Sequence, residues 1–320
     1  MWTGSIRLLV VIATACLLLS LDPGLARSVA ADQDAGVPAP YRVERLTGPA
    51  RTVVTDGSGA WIATLTDGAY TVTVVGPSHT LSEPDMRASV TLTAWARLLA
   101  EPFDGTIDAA WLDRARTDTS PDVLQTGMQY VKGAPPIFDD AGQRISGDAG
   151  YGPLGADGAR QEGSDFNDFL GVNWTFAGRP HRPDPTQAGD LDCSGFVRMV
   201  FGYRGGLPLG FEPDGAAIPR RAFQILDAAP GVITIPNQDT RVQDLTPLAA
   251  GDLVFFDADP GDGPLIDHVG IYLGPDAAGH PRFLSSRKTV NGPTLGDTGG
   301  RSTLDGDGLY ARSFRAARRL

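Results

Sequence analysis

Lysine is almost missing from this chain of 320 residues: Lys132 and Lys288 are the only two, and arginine supplies the rest of the 27 basic side chains. Against 38 acidic residues the net charge is −11. Proteins that bind nucleic acid carry a basic face, so nucleic acid is not an expected partner. Cysteine is equally scarce, with Cys16 and Cys193 alone, and there are four histidines. No G-x-S-x-G, H-E-x-x-H, P-loop or strand-linked G-x-G-x-x-G occurs, which removes the usual signatures of serine hydrolases, zinc peptidases and nucleotide binders. Asp257, Asp259 and Asp262 have the look of a calcium loop, but Gly261 stands in the third ligand slot and no glutamate closes it. Neither a metal nor a cofactor is expected. Internal repeats are absent too. What the chain does have is a globular composition, 42% apolar and 20% charged. Glycine (40) and proline (25) together make up one residue in five, which predicts long loops.

After Arg7 comes an apolar run of 14 residues, LLVVIATACLLLSL, followed by small residues ending at Ala31. A positive start, a short apolar middle and an A-x-A-like end are the marks of a secretory signal peptide over 1–31. The run is short for a membrane span, so membrane contact is expected only if this segment stays uncleaved. Cleavage leaves Cys193 without an internal partner in an oxidising compartment, so it is either buried and inert or kept for reactivity. A secreted or cell-envelope location follows.

The rest divides by pattern. Residues 32–40 form a polar linker, and 41–160 a smaller β-rich domain in which Asp67-Gly68 separates WIATLT from AYTVTVV as a hairpin turn. Residues 106–116 and 121–131 read as helices, the second capped by Ser120. In 161–320, DCSGFVRMVFG (192–202) has helical spacing, and GDLVFFDA (251–258), HVGIYLG (268–274), RFLSSRK (282–288) and LYARSF (309–314) have strand character. A helix followed by successive strands argues an α+β fold with an antiparallel sheet. The arginines at 312, 315, 318 and 319 read as a solvated face.

Cys193 falls in the first turn of its helix, where unpaired N–H groups and the dipole favour thiolate. Its own N–H is placed to hold a developing oxyanion. Gly195 is small enough to let a substrate carbonyl approach, and Asp192 is suited to cap the helix. His268, at the start of a strand after a flexible loop, is the histidine placed to serve as base. A buried inert thiol and a solvated structural histidine are the alternatives for this pair.

DCSGFV, GDLVFF and DHVGIYLG, in that order, resemble the NlpC/P60 family of papain-like cell-wall cysteine peptidases over about residues 165–320. The resemblance implies a papain-like domain in which a helix bearing the cysteine packs on an antiparallel sheet bearing the histidine. It implies Cys193 as nucleophile and His268 as base, with Trp174 in the slot of an aromatic residue that borders the site. Asp192 and Ser194, flanking the nucleophile, join Trp174 as candidate substrate contacts. The family's third polar residue corresponds to Ser285, a departure from the usual His, Asn or Gln, and His280 in the preceding turn competes for the role. Cys193 and His268 stand 75 residues apart, which implies an insertion within about 203–248. The function implied is an exported endopeptidase acting on peptidoglycan stem peptides, with D-glutamyl to diaminopimelate as the bond cut by much of the family. A silent wall-binding or scaffold module, and another amidase or acyl transferase on the same scaffold, are the competing readings.

Overall fold

The computed structural model describes residues 41–83, 88–259, 261 and 263–320. The expected signal segment and linker, 1–40, lie outside these. Five strands come first: β1 (Arg42–Leu46), β2 (Arg51–Thr55), β3 (Trp61–Thr66), β4 (Thr71–Ser82) and β5 (Ser89–Leu98). They form an antiparallel meander in sequence order. The expected turn at Asp67-Gly68 joins β3 to β4, with Leu65 paired to Val72. Gly68 adopts φ +79°, which a side chain would resist. Helix α1 (Ala109–Thr117) packs on β4 and closes a small core around Ile62, Val72, Trp95 and Leu112.

Helix α2 (Val123–Met128) departs from the expected division at 160. Its residues Val123 and Leu124, with Val90 and Leu92 of β5, share one continuous core with Phe196, Ile271 and Leu284 far along the chain. Gly127 marks the tightest approach, since a Cβ there would stand 2.9 Å from Leu284 Cδ2. The described residues accordingly fall in one compact unit. Asp122, not Ser120, caps α2 by accepting from the Gln125 N–H, and it also takes the Ala96 N–H of β5. A two-stranded hairpin, β6 (Ile137–Phe138) and β7 (Arg144–Ser146), precedes helix α3 (Phe166–Leu170), and a second follows as β8 (Trp174–Phe176) and β9 (Arg179–His181).

Helix α4 (Cys193–Val197) continues as a π-helix through Arg198–Arg204, and α5 (Ala222–Ala228) follows. The remaining strands are β10 (Val232–Ile235), β11 (Leu253–Phe256), β12 (His268–Pro275), β13 (Pro281–Arg287), β14 (Gly292–Thr294) and β15 (Phe314–Arg319), with α6 (Leu309–Ser313) before the last. They form an antiparallel sheet in the order β10-β15-β11-β12-β13-β14, onto which α4 packs against β12 and β13. The fold is therefore α+β. The run 309–314 was expected as a strand; it forms α6 and yields to a strand only at Phe314. Arg318 and Arg319 are buried and not solvated. Arg319 pairs with Asp252 at 2.7 Å and reaches Thr66 of β3 at 2.6 Å, while Arg318 donates to the last carbonyls of α5. Buried guanidinium groups need such partners, and a composition count does not show them.

Candidate active site

Asp192 caps the helix that bears Cys193. One of its carboxylate oxygens accepts from Gly195 N at 2.7 Å and the other from Gly163 N at 3.0 Å, which fixes Cys193 at the first helical position. Gly195 has a different reason from the one expected. A Cβ there would lie 2.2 Å from the Ser164 carbonyl oxygen, so the glycine lets the preceding segment pack against the helix and does not open it to substrate. The 203–248 stretch reaches back to this cap through Arg220, which pairs with Asp192 at 2.6 Å and donates to Ser194 Oγ at 2.7 Å. Asp192 and Ser194 are thus buried and committed to the helix cap. Both border the cavity, but as positioning residues and not as free substrate contacts.

His268 opens β12, paired across to Phe256 of β11. Its ring packs against both Phe256 and Tyr310, with centroids at 5.8 and 5.1 Å. Alternation on β13 puts Phe283, Ser285 and Arg287 on one face, and Ser285 Oγ stands 3.0 Å from His268 Nε2. Arg287 Nε donates to the same hydroxyl at 3.0 Å. The competitor His280 is elsewhere: it is exposed in the turn before β13 and paired with Asp305 at 2.7 Å.

Cys193 and His268 line one cavity of about 540 Å³, bordered also by Tyr151, Glu162, Lys288 and Tyr310. Trp174 is not among its walls. It packs edge-on against Phe166 at 5.0 Å and Tyr203 at 6.1 Å, within an aromatic cluster of its own. The aromatic residue bordering the site before the cysteine is Tyr151, whose hydroxyl is 3.4 Å from Glu162, itself paired with Lys288 at 2.7 Å. Tyr151 sits in a Gly-rich stretch with no periodicity, so nothing local marked it; Arg220 and Arg287 were missed because their partners come from remote segments.

The electrostatics reverse the thiolate expectation. Burial pushes the Cys193 thiol up, Asp192 and Glu162 add to the rise, and the Val269 N–H and Arg220 oppose it. The sulfur lies 3.8 Å from the Asp267 carbonyl, which accepts from the thiol. Burial, then the charges of Arg287 and Lys288, hold His268 down at about 3. A short helix end does not outweigh such desolvation. Both shifts favour the neutral forms, thiol and imidazole.

Such an arrangement, a cysteine at a helix start and a histidine at a strand start sharing one cavity, defines a cysteine–histidine site on an α+β scaffold. Residues 171–301 match the model of the NlpC/P60 family, so the resemblance carried by DCSGFV, GDLVFF and DHVGIYLG holds over that segment. A match to this family suggests a cell-wall peptidase. Among solved structures, the chain is similar to a Staphylococcus aureus protein described as similar to lipoprotein, NLP/P60 family, at 19% identity and a TM-score of 0.29, covering 66% of this chain and 47% of that one. It is also similar to an NlpC/P60 family protein from Bacillus cereus at 16% identity and a TM-score of 0.28, covering 87% of this chain and 78% of that one. The chain thus spans about half the length of the Staphylococcus aureus protein. No curated protein matches.

Proposed function

We propose that this chain is an exported cysteine peptidase that hydrolyses an amide bond in peptidoglycan stem peptides, with the D-glutamyl to diaminopimelate bond as the first to test. The observation that carries the reading is the convergence of Cys193 and His268 on one cavity, with the imidazole Nε2 held by Ser285. In a papain-like mechanism the unengaged nitrogen, Nδ1, takes the thiol proton as sulfur attacks the carbonyl carbon. The Cys193 N–H, at the first turn of its helix, is placed to hold the oxyanion. Collapse of that intermediate passes the proton to the leaving amine and leaves a thioester. Water then attacks the thioester with His268 again as base, releasing the carboxylic acid and the thiol. Because the resting thiol donates to the Asp267 carbonyl, substrate entry must first turn the S–H toward the ring. The signal-like segment 1–31 and the lipoprotein description of the Staphylococcus aureus relative support an extracytoplasmic setting.

The neutral, buried pair also favours a second reading, a catalytically silent wall-binding module. Digestion of purified peptidoglycan, with mass spectrometry of the released fragments, separates the two. The wild type is expected to release peptides and Cys193→Ala or His268→Ala to lower the rate at least about a hundredfold. Full activity in Cys193→Ala refutes the mechanism, and no release by the wild type leaves the silent module.

A further inference from the structure

We propose that Arg287 is a positioning residue for His268, acting through the Ser285 hydroxyl on which both converge and tying the imidazole to the 296–302 wall of the cavity. The consequence for turnover rests on the peptidase reading; the contact chain itself does not. Arg287 is 2% exposed and Ser285 fully buried. The guanidinium spends each arm differently: Nε donates to Ser285 Oγ at 3.0 Å, Nη1 to the Gly300 carbonyl at 2.6 Å and Nη2 to Ser302 Oγ at 2.6 Å. Its plane lies over Tyr310 at 4.4 Å and Phe283 at 5.0 Å, and Tyr310 is the ring that flanks His268. Ser302 in turn donates to the Gly296 carbonyl, and Gly299 lines the cavity. One side chain therefore holds both the partner of the imidazole and a wall of the substrate space.

A serine hydroxyl has one proton and two lone pairs. With the Arg287 Nε–H on one lone pair, the proton and the second pair remain for His268. The hydroxyl can then serve either neutral tautomer, donating to a bare Nε2 or accepting from Nε2–H. A second ring proton is opposed, since it builds a cation beside a buried guanidinium. The charged groups acting on the ring are Arg287 at the end of β13, Lys288 just after it and Asp192 at the cap of α4; the titratable Tyr310 hydroxyl of α6, the Cys193 thiol and Asp267, next to His268 in the chain, border the same cavity. Arg287 is the nearest of the cations in effect, exceeding Lys288.

Imidazole ¹⁵N spectra of the full chain, with His268→Gln to assign the signal, test this in the wild type and in Arg287→Met, Arg287→Lys and Ser285→Ala. The wild-type ring is expected to stay neutral to pH values well below the ordinary midpoint of about 6.5. Arg287→Met should raise the midpoint by at least about one unit, and Arg287→Lys, which keeps the charge, by less than half of that. Ser285→Ala should leave the midpoint low, because the cation stays, while altering the Nε2 shift. A wild-type midpoint near 6.5, an Arg287→Met midpoint equal to the wild type, or an Nε2 shift untouched by Ser285→Ala each overturns the proposal. If Arg287→Met does not fold, Arg287→Lys decides it, because it keeps the charge and loses the Nε contact: an Nε2 shift equal to that of the wild type overturns the proposal. A wild type that cuts no wall peptide while Arg287→Met moves the midpoint retires the peptidase reading and leaves the positioning chain standing.

Discussion

Replacing Arg220 with Met tests whether the 203–248 stretch holds the helix that bears Cys193. Arg220 is buried with Asp192 and Asp165, at 2.6 and 3.7 Å. Burial alone would raise the Asp192 carboxyl, but the Arg220 charge, with hydrogen bonds from Arg220 and the Gly195 and Gly163 N–H groups, holds it below the usual range. Burial likewise disfavours the Arg220 cation, and Asp192 and Asp165 outweigh it. Arg220→Met leaves a buried carboxylate without its cation, and breaking a buried pair in this way costs about 3 to 5 kcal/mol. The sign with pH follows. In the wild type, the lowered Asp192 contributes stability that is present above its unfolded range near 3.9 and lost as pH falls through the folded value. In the variant the carboxyl is raised by burial, so it protonates readily and the penalty shrinks as pH is lowered from 7 toward 5. Urea unfolding of wild type, Arg220→Met, Asp192→Asn and the double variant at both pH values measures this. Asparagine keeps the cap, so the double variant should cost at least about 2 kcal/mol less than the sum of the singles. A loss in Arg220→Met below about 1 kcal/mol, or additivity within about 0.5 kcal/mol, refutes the argument.

Iodoacetamide should modify Cys193 slowly at neutral pH, with a rate that keeps rising above the range near 8.5 where a free thiol responds, and quickly once the chain is unfolded; fast labelling at pH 6 would sink the neutral-thiol account. Ser285→Ala should lower peptide release while Ser285→Asn retains more of it and His280→Ala stays near wild type, since His280 is bound to Asp305 on the surface; a crippled His280→Ala beside an intact Ser285→Ala reverses the assignment. His268, lowered to about 3 in the fold, contributes stability that is full above about 6.5 and lost as pH falls. Relative to His268→Gln, the wild type should therefore lose about 1.4 kcal/mol per pH unit below 6, read by chemical denaturation, and parallel pH profiles would contradict it.

The local signals were the legible ones. A turn at Asp67-Gly68, an Asp192 cap before Cys193, a histidine at a strand start and an alternation that puts Ser285 on the face of His268 are all written within a few neighbouring residues, because φ preferences, caps and strand pleats act over that range. The tertiary structure decided what depends on distant partners. LYARS became a helix although its aromatic and aliphatic residues suit a strand, since packing overrides weak strand propensity. Trp174 went to an aromatic cluster with Phe166 and Tyr203, and Tyr151 took the place beside the thiol. Arg220, Arg287, Arg318 and Arg319 look like any surface arginines in the sequence. Each is buried because the fold brings carboxylates, carbonyls or hydroxyls from remote segments to meet it. The charge balance of the candidate pair depends on distant segments in the same way: a helix start favours thiolate by local dipoles, and only the fold shows that Cys193 and His268 are both buried, where desolvation favours the neutral forms.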